Sequence, residues 1–188
     1  MVEKKNPREE EEKYIQQQER EKLLELRRQK QLEAIRQQER EAIAASLNTR
    51  DDVAAEAMAL GFDAETARIL PLVPMIQMAW ADGTISTAES DKVLELARRF
   101  GIADQSSASN FLKMLLEEQP TDLFFSRANT VIAHLIDEDP NGELGQNVMD
   151  WSKAVAAASG GFFGLTNPIS NEEGALLEDF ARLFGVKG

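Results

Sequence analysis

One phrase occurs twice in this chain, and it constrains the fold more than any other feature. Thr84-Ile85-Ser86-Thr87-Ala88-Glu89 opens a stretch ending at Phe100-Gly101-Ile102; Pro168-Ile169-Ser170-Asn171-Glu172-Glu173 opens another ending at Phe184-Gly185-Val186. A shift of 84 positions superposes Ile85 on Ile169, Ser86 on Ser170, Glu89 on Glu173, Ala97 on Ala181, Arg98 on Arg182, Phe100 on Phe184 and Gly101 on Gly185. Duplication sets architecture first, because each copy needs a neighbour to cover its apolar face. Both copies read Ser-x-x-Glu ahead of an apolar run, the pattern of a capping box. In such a box the serine oxygen accepts the glutamate amide and the glutamate carboxylate accepts the serine amide, worth on the order of 1 kcal/mol. Val93, Leu96, Ala97 and Phe100 fall on one helical face, matched by Leu177, Phe180, Ala181 and Phe184. These features predict two related helical halves packed as one domain.

The rest of the chain extends that reading. Asn48 and Thr49 are candidate caps for a helix over 51–60 that Gly61 ends, and Asp63 is a cap for a restart. Pro71 precedes and Pro74 interrupts an apolar run, Leu72 to Trp80, whose apolar residues face several sides, as in a central buried helix. Ser106 and Thr121 stand at further helix starts, and 144–159 carries Val148, Trp151 and Val155 on one side. Phe124, Ala128, Val131, Ile132 and Leu135 form the expected buried face of the helix between them. Gly160-Gly161, Gly164 and Pro168 mark an apolar loop. No segment alternates with period two, so the expected class is all-α, a bundle of two pseudo-repeated halves.

Residues 1–47 differ in kind from 48–188, and the boundary is expected there. From residue 8 to 47 there is no Gly or Pro, and Glu, Gln, Arg and Lys, all good helix formers, dominate. Such a helix spans roughly 60 Å at about 1.5 Å per residue. Leu24, Leu32, Ile35 and Ile43 are spaced 8, 3 and 8, an 11-residue rhythm rather than a heptad. The segment reads either as a coiled coil or partner-docking helix, or as a solvated single helix held by side-chain pairs.

Charge separates the same two parts. The net charge is −12. Residues 1–47 balance eleven Glu against five Lys and six Arg, so the excess lies wholly in 48–188. An acidic domain repels phosphate, which argues against nucleic-acid binding and favours basic partners or divalent cations. Cysteine is absent, which excludes disulfides and thiolate chemistry. There is no run of about 18 apolar residues and no apolar stretch at the polar N-terminus, so neither a membrane span nor a secretory signal is expected. The simplest expected compartment is the cytoplasm.

Two loops approach the calcium-loop pattern from opposite ends. Asp82-Gly83 through Glu89 has the spacing of its last eight positions, but Met78 and Trp80 stand where hard-ligand residues should be. Asp137, Asp139 and Asn141, with Gly142, fit its first half, but Val148 stands at the final glutamate position. Asp82, Glu89, Asp137, Asp139, Asn141 and Glu173 are therefore the candidate ligands for a divalent cation. Capping alone also accounts for Glu89 and Glu173. His134, the only histidine, reads as a structural or surface residue, and Trp80 and Trp151 as core anchors. No phosphate loop, paired His/Glu metal spacing or nucleophile elbow is present, and no catalytic residue is assigned.

At Ala79-Trp80-Ala81-Asp82-Gly83-Thr84-Ile85-Ser86-x-x-Glu89, after an apolar helix, the chain resembles the TerB-like family of bacterial helical domains. That family includes tellurite-resistance TerB and the N-terminal part of DjlA-type co-chaperones. The resemblance covers about residues 51–188. It implies a bundle of two similar halves, a non-enzymatic scaffolding role in a stress-response complex, and divalent-metal binding at the matching Asp82, Glu89 and Glu173. Thr166-Asn167 replaces Asp82-Gly83 in the second copy, a departure from paired equivalent aspartates. The functional expectation is an interaction module that meets protein partners through its N-terminal helix, homo-oligomers included. The alternative is a divalent-cation sensor, and a metal-assisted hydrolase is a distant third.

Overall fold

A computed structural model describes residues 7–159 and 169–186. Among them every regular element is a helix: α1 (Pro7–Leu47), α2 (Asp51–Ala59), α3 (Val73–Ala79), α4 (Thr87–Arg99), α5 (Ser107–Glu117), α6 (Asp122–Asp137), α7 (Leu144–Ser159) and α8 (Asn171–Leu183), with a 3-10 segment Thr66–Leu72 before α3. The all-α class is as expected. The chain divides into two compact units, Met1–Glu39 and Arg40–Gly188. The division falls about two turns earlier in α1 than the composition change suggests. The reason is packing within the second unit: Ile43 is fully buried, and the Arg40 guanidinium lies 2.6 Å from Asp51.

Within residues 40–188 the centre is α3. Val73, Pro74, Met75, Ile76, Met78 and Ala79 are all buried, as an all-round apolar helix requires. The 3-10 segment feeds directly into it. Pro71 sits inside that segment and has no amide to donate, while Pro74 falls in the first turn of α3, where a missing amide costs little. α7 lies against α3, and both α4 and α8 pack against α3 and α7. The two copies of the repeated phrase thus flank the same central pair.

The duplication repeats at the level of individual bonds. Ser86 accepts from the Glu89 amide at 3.2 Å and its own amide donates to Glu89 Oε2 at 2.8 Å. Ser170 and Glu173 do the same at 3.1 and 2.6 Å. At the other end, the Ile102 amide reaches the Ala97 carbonyl at 3.0 Å and the Val186 amide reaches Ala181 at 3.1 Å. Both closures need a left-handed residue, supplied by Gly101 (φ +86°) and Gly185 (φ +64°).

Several local expectations are revised. Asn48 does not cap α2; it takes φ +51° and closes α1, a conformation asparagine tolerates. The α2 N-cap is Arg50, with no side-chain hydrogen bond. Asp63 does cap, through Thr66: its Oδ1 accepts the Thr66 amide at 2.7 Å, and its own amide donates to Thr66 Oγ1 at 2.8 Å. Those bonds, the Thr66 amide foremost, hold its carboxyl below the usual aspartate range. On α6 the deeply buried ring is Phe125, with Phe124 only half-buried. Phe100 is exposed (36 %) and meets Trp151 edge-on at 5.3 Å, whereas its counterpart Phe184 is buried (6 %). The glycine-rich loop 160–168, including Thr166-Asn167, lies outside the described residues.

Candidate functional site

The six candidate metal ligands do not form one centre. Asp82 is exposed, and its Oδ1 accepts the Thr84 amide at 2.9 Å and hydroxyl at 3.1 Å, which fixes the turn between α3 and α4. Glu89 and Glu173 are buried, at 4 and 5 % exposure, each with an oxygen committed to its capping box. Asp137 is the exposed last residue of α6. Asn141 contributes its amide, not its side chain, to Asp139 Oδ1 at 3.1 Å. Among the described residues no three His, Cys, Asp or Glu side chains stand where one ion could take them together. Hard cations such as calcium take six or more oxygen ligands. Asp82, Glu89 and Glu173, whose oxygens accept amides of their own turns, do not fit the metal that the family resemblance implies.

Asp139 explains why the calcium-like spacing of its loop arises without calcium. Its Oδ2 accepts the Glu143 and Leu144 amides, both at 2.8 Å, while Oδ1 takes Asn141. The carboxylate thus serves the amides at the start of α7, where negative charge is favoured. Hydrogen bonds to the charged form, the Leu144 amide first, pull its pKa below the usual aspartate range. A depressed folded pKa gives stability that is present above the unfolded value, about 4, and is lost as pH falls through the folded value. The urea midpoint of the wild type is therefore expected to fall with pH below about 4 more steeply than that of Asp139→Asn. Parallel acid limbs in the two proteins would remove Asp139 from this account.

Tertiary packing brings a different set together. Asp82 lines a cleft of about 550 Å3 with Asp122 from the start of α6 and with Glu172 and Asp179 from α8. Trp80 and Phe125 supply apolar wall. The Trp80 indole is anchored by donating to the Leu115 carbonyl at 3.0 Å. Gln77, also on the wall, accepts from Asn129 Nδ2 at 2.7 Å. Sequence reasoning missed Asp122, Glu172 and Asp179. Asp122 and Glu172 read locally as first-turn acids that suit a helix N-terminus. Only the packing of α8 beside the α3–α4 turn makes them neighbours of Asp82.

His134 is exposed on α6, in a shallow groove with Asp52, Glu56 and Arg127. Arg127 is paired to Glu56 at 2.6 Å. Thr130 also lines the groove, and its hydroxyl donates to the Ser126 carbonyl at 3.0 Å.

The first unit presents a different kind of surface. Along α1, Tyr14, Ile15, Leu23, Leu24, Leu26, Leu32 and Ile35 are all exposed, each at 49 % or more. No helix among the described residues is long and apolar enough to cross a membrane. In comparisons with known proteins, no family model, no curated protein and no solved structure matches this chain.

Proposed function

We propose that this chain is a non-enzymatic protein-interaction module of the TerB-like kind, joining a bacterial stress-response complex through α1. The carrying observation is that seven large apolar side chains are left exposed around α1, with Leu24, Leu32 and Ile35 on one side of it. Leucines and isoleucines half exposed in such number favour a partner, since covering the remaining apolar area of each contributes on the order of 1 kcal/mol. The balanced charge of residues 1–47 suits close approach to another helix, while the acidic remainder keeps nucleic acid away. The matched capping boxes of α4 and α8 support the family reading, because they reproduce its two-half design.

The test keeps the chain whole. Leu24→Lys, Leu32→Lys and Ile35→Lys together are expected to abolish the wild type's association, read by light scattering and by capture of partners, and to leave the thermal melt of the bundle in place. An unchanged mass and an unchanged set of partners would sink the proposal. A truncation for the same purpose should stop at Glu39, because removal through Leu47 takes Ile43 out of the core.

The alternative, a divalent-cation sensor, has no converging ligand set among the described residues. Calorimetric titration with calcium or manganese up to about 1 mM is expected to give no saturable heat. A stoichiometric transition abolished by Asp82→Asn would reverse this preference.

A further inference from the structure

A second concavity in the Arg40–Gly188 unit is built unlike the acidic cleft. It is open to solvent, has a volume of about 390 Å3, and is walled chiefly by Leu47, Pro71, Phe100, Leu135, Pro140 and Leu144. Cavities that hold small ligands have this size and character, with a few polar groups fixing orientation. Three charged side chains reach this one: Arg68, Glu138 and Asp139.

The two acids are already engaged by the protein. Asp139 takes three backbone amides. Glu138 Oε2 accepts the Thr49 hydroxyl. Its Oε1 is buried, 2.9 Å from Arg50 Nε, an ion pair by distance although not aligned as a hydrogen bond. Arg68, by contrast, is exposed and has no ion pair or hydrogen bond among the described residues. Its guanidinium, without a direct partner among the described residues, lies beside an apolar hollow.

We infer that this cavity binds a small amphipathic monoanion: a carboxylate held by Arg68, on a short apolar body lying against the leucine, proline and phenylalanine walls. The planar fork of arginine matches a carboxylate with two parallel hydrogen bonds. One unpaired cation sets the charge at one, and the acidity of residues 48–188 opposes more. The site takes only the last residues of α1, Ser46 and Leu47, which belong to the Arg40–Gly188 unit, and does not depend on the interaction reading.

The experiment uses the full chain, with octanoate and the uncharged octanol as probes, followed by calorimetry and amide chemical shifts. Octanoate is expected to bind saturably. Arg68→Gln weakens octanoate at least about tenfold and leaves octanol unchanged, because only the charge-assisted bonds are lost. Ser46→Trp, at an exposed position on the cavity rim, removes both by filling the space. Unchanged thermal melts show that both variants fold. Absence of saturable octanoate binding at about 1 mM, equal octanoate affinity in wild type and Arg68→Gln, or retained binding in Ser46→Trp would each overturn the inference.

Discussion

Phe180→Ala is expected to lower the unfolding free energy by about 3–5 kcal/mol, read from urea or thermal denaturation. The ring is 1 % exposed and stacks on Phe184 with centroids 5.6 Å apart. Truncation leaves a cavity between α8 and the central helices, and close-packed interiors relax only partly into such a space. The same reasoning separates two positions that the repeat makes equivalent. Phe184→Ala removes a buried ring and should cost several kcal/mol, whereas Phe100→Ala removes one already 36 % exposed and should cost about 1 kcal/mol. A loss below about 1 kcal/mol at Phe180 would mean that α8 does not seal the core as described. Equal losses at 100 and 184 would mean that the two copies are more symmetric than the packing shown here.

Glu89→Ala is expected to cost about 1–3 kcal/mol, because it leaves the Ser86 amide without its acceptor beneath a buried side chain. Glu89→Gln keeps an acceptor oxygen in place and should recover most of that loss. Glu173→Ala should behave alike, since its box has the same bonds and its side chain is 5 % exposed. Ser86→Ala and Ser170→Ala lose only the hydroxyl acceptor and should cost about 1 kcal/mol each. Denaturation with and without added calcium distinguishes capping from ligation. Losses that appear only with calcium would make these glutamates ligands, and equal losses in both conditions leave them as caps. If alanine and glutamine cost the same at position 89, the carboxylate is not acting as the amide's acceptor.

The helix starts were legible in the residues because capping is local. Ser86, Ser106, Thr121 and Ser170 each accept a backbone amide three residues on, within reach of their own turn. The start of α2 misled for the same reason: Asn48 and Thr49 have capping side chains, but the left-handed turn at Asn48 spends that position on closing α1. Metal-like spacing has a second, local meaning. Asp, Asn and Gly at alternate positions are also what a tight turn into a helix needs, and Asp139 meets that need with three amides. Ile43 shows a third limit. On the sequence it continues the sparse stripe of Leu24, Leu32 and Ile35, yet it is fully buried while those three are exposed.

By itself the sequence determined that the chain is helical, where most helices begin and end, and that 84–102 and 168–186 are copies. Those properties depend on side chains reaching their own backbone and on periodic apolar faces, and both are written within a few residues. Tertiary structure alone decided that Phe184 is buried and Phe100 is not, that Asp82 shares a cleft with Asp122, Glu172 and Asp179, and that Arg68 stands beside an apolar hollow with no partner among the described residues. These are relations between helices distant in the chain. They follow from which face α8 and α4 turn toward α3 and α7, a choice made by packing the whole core at once.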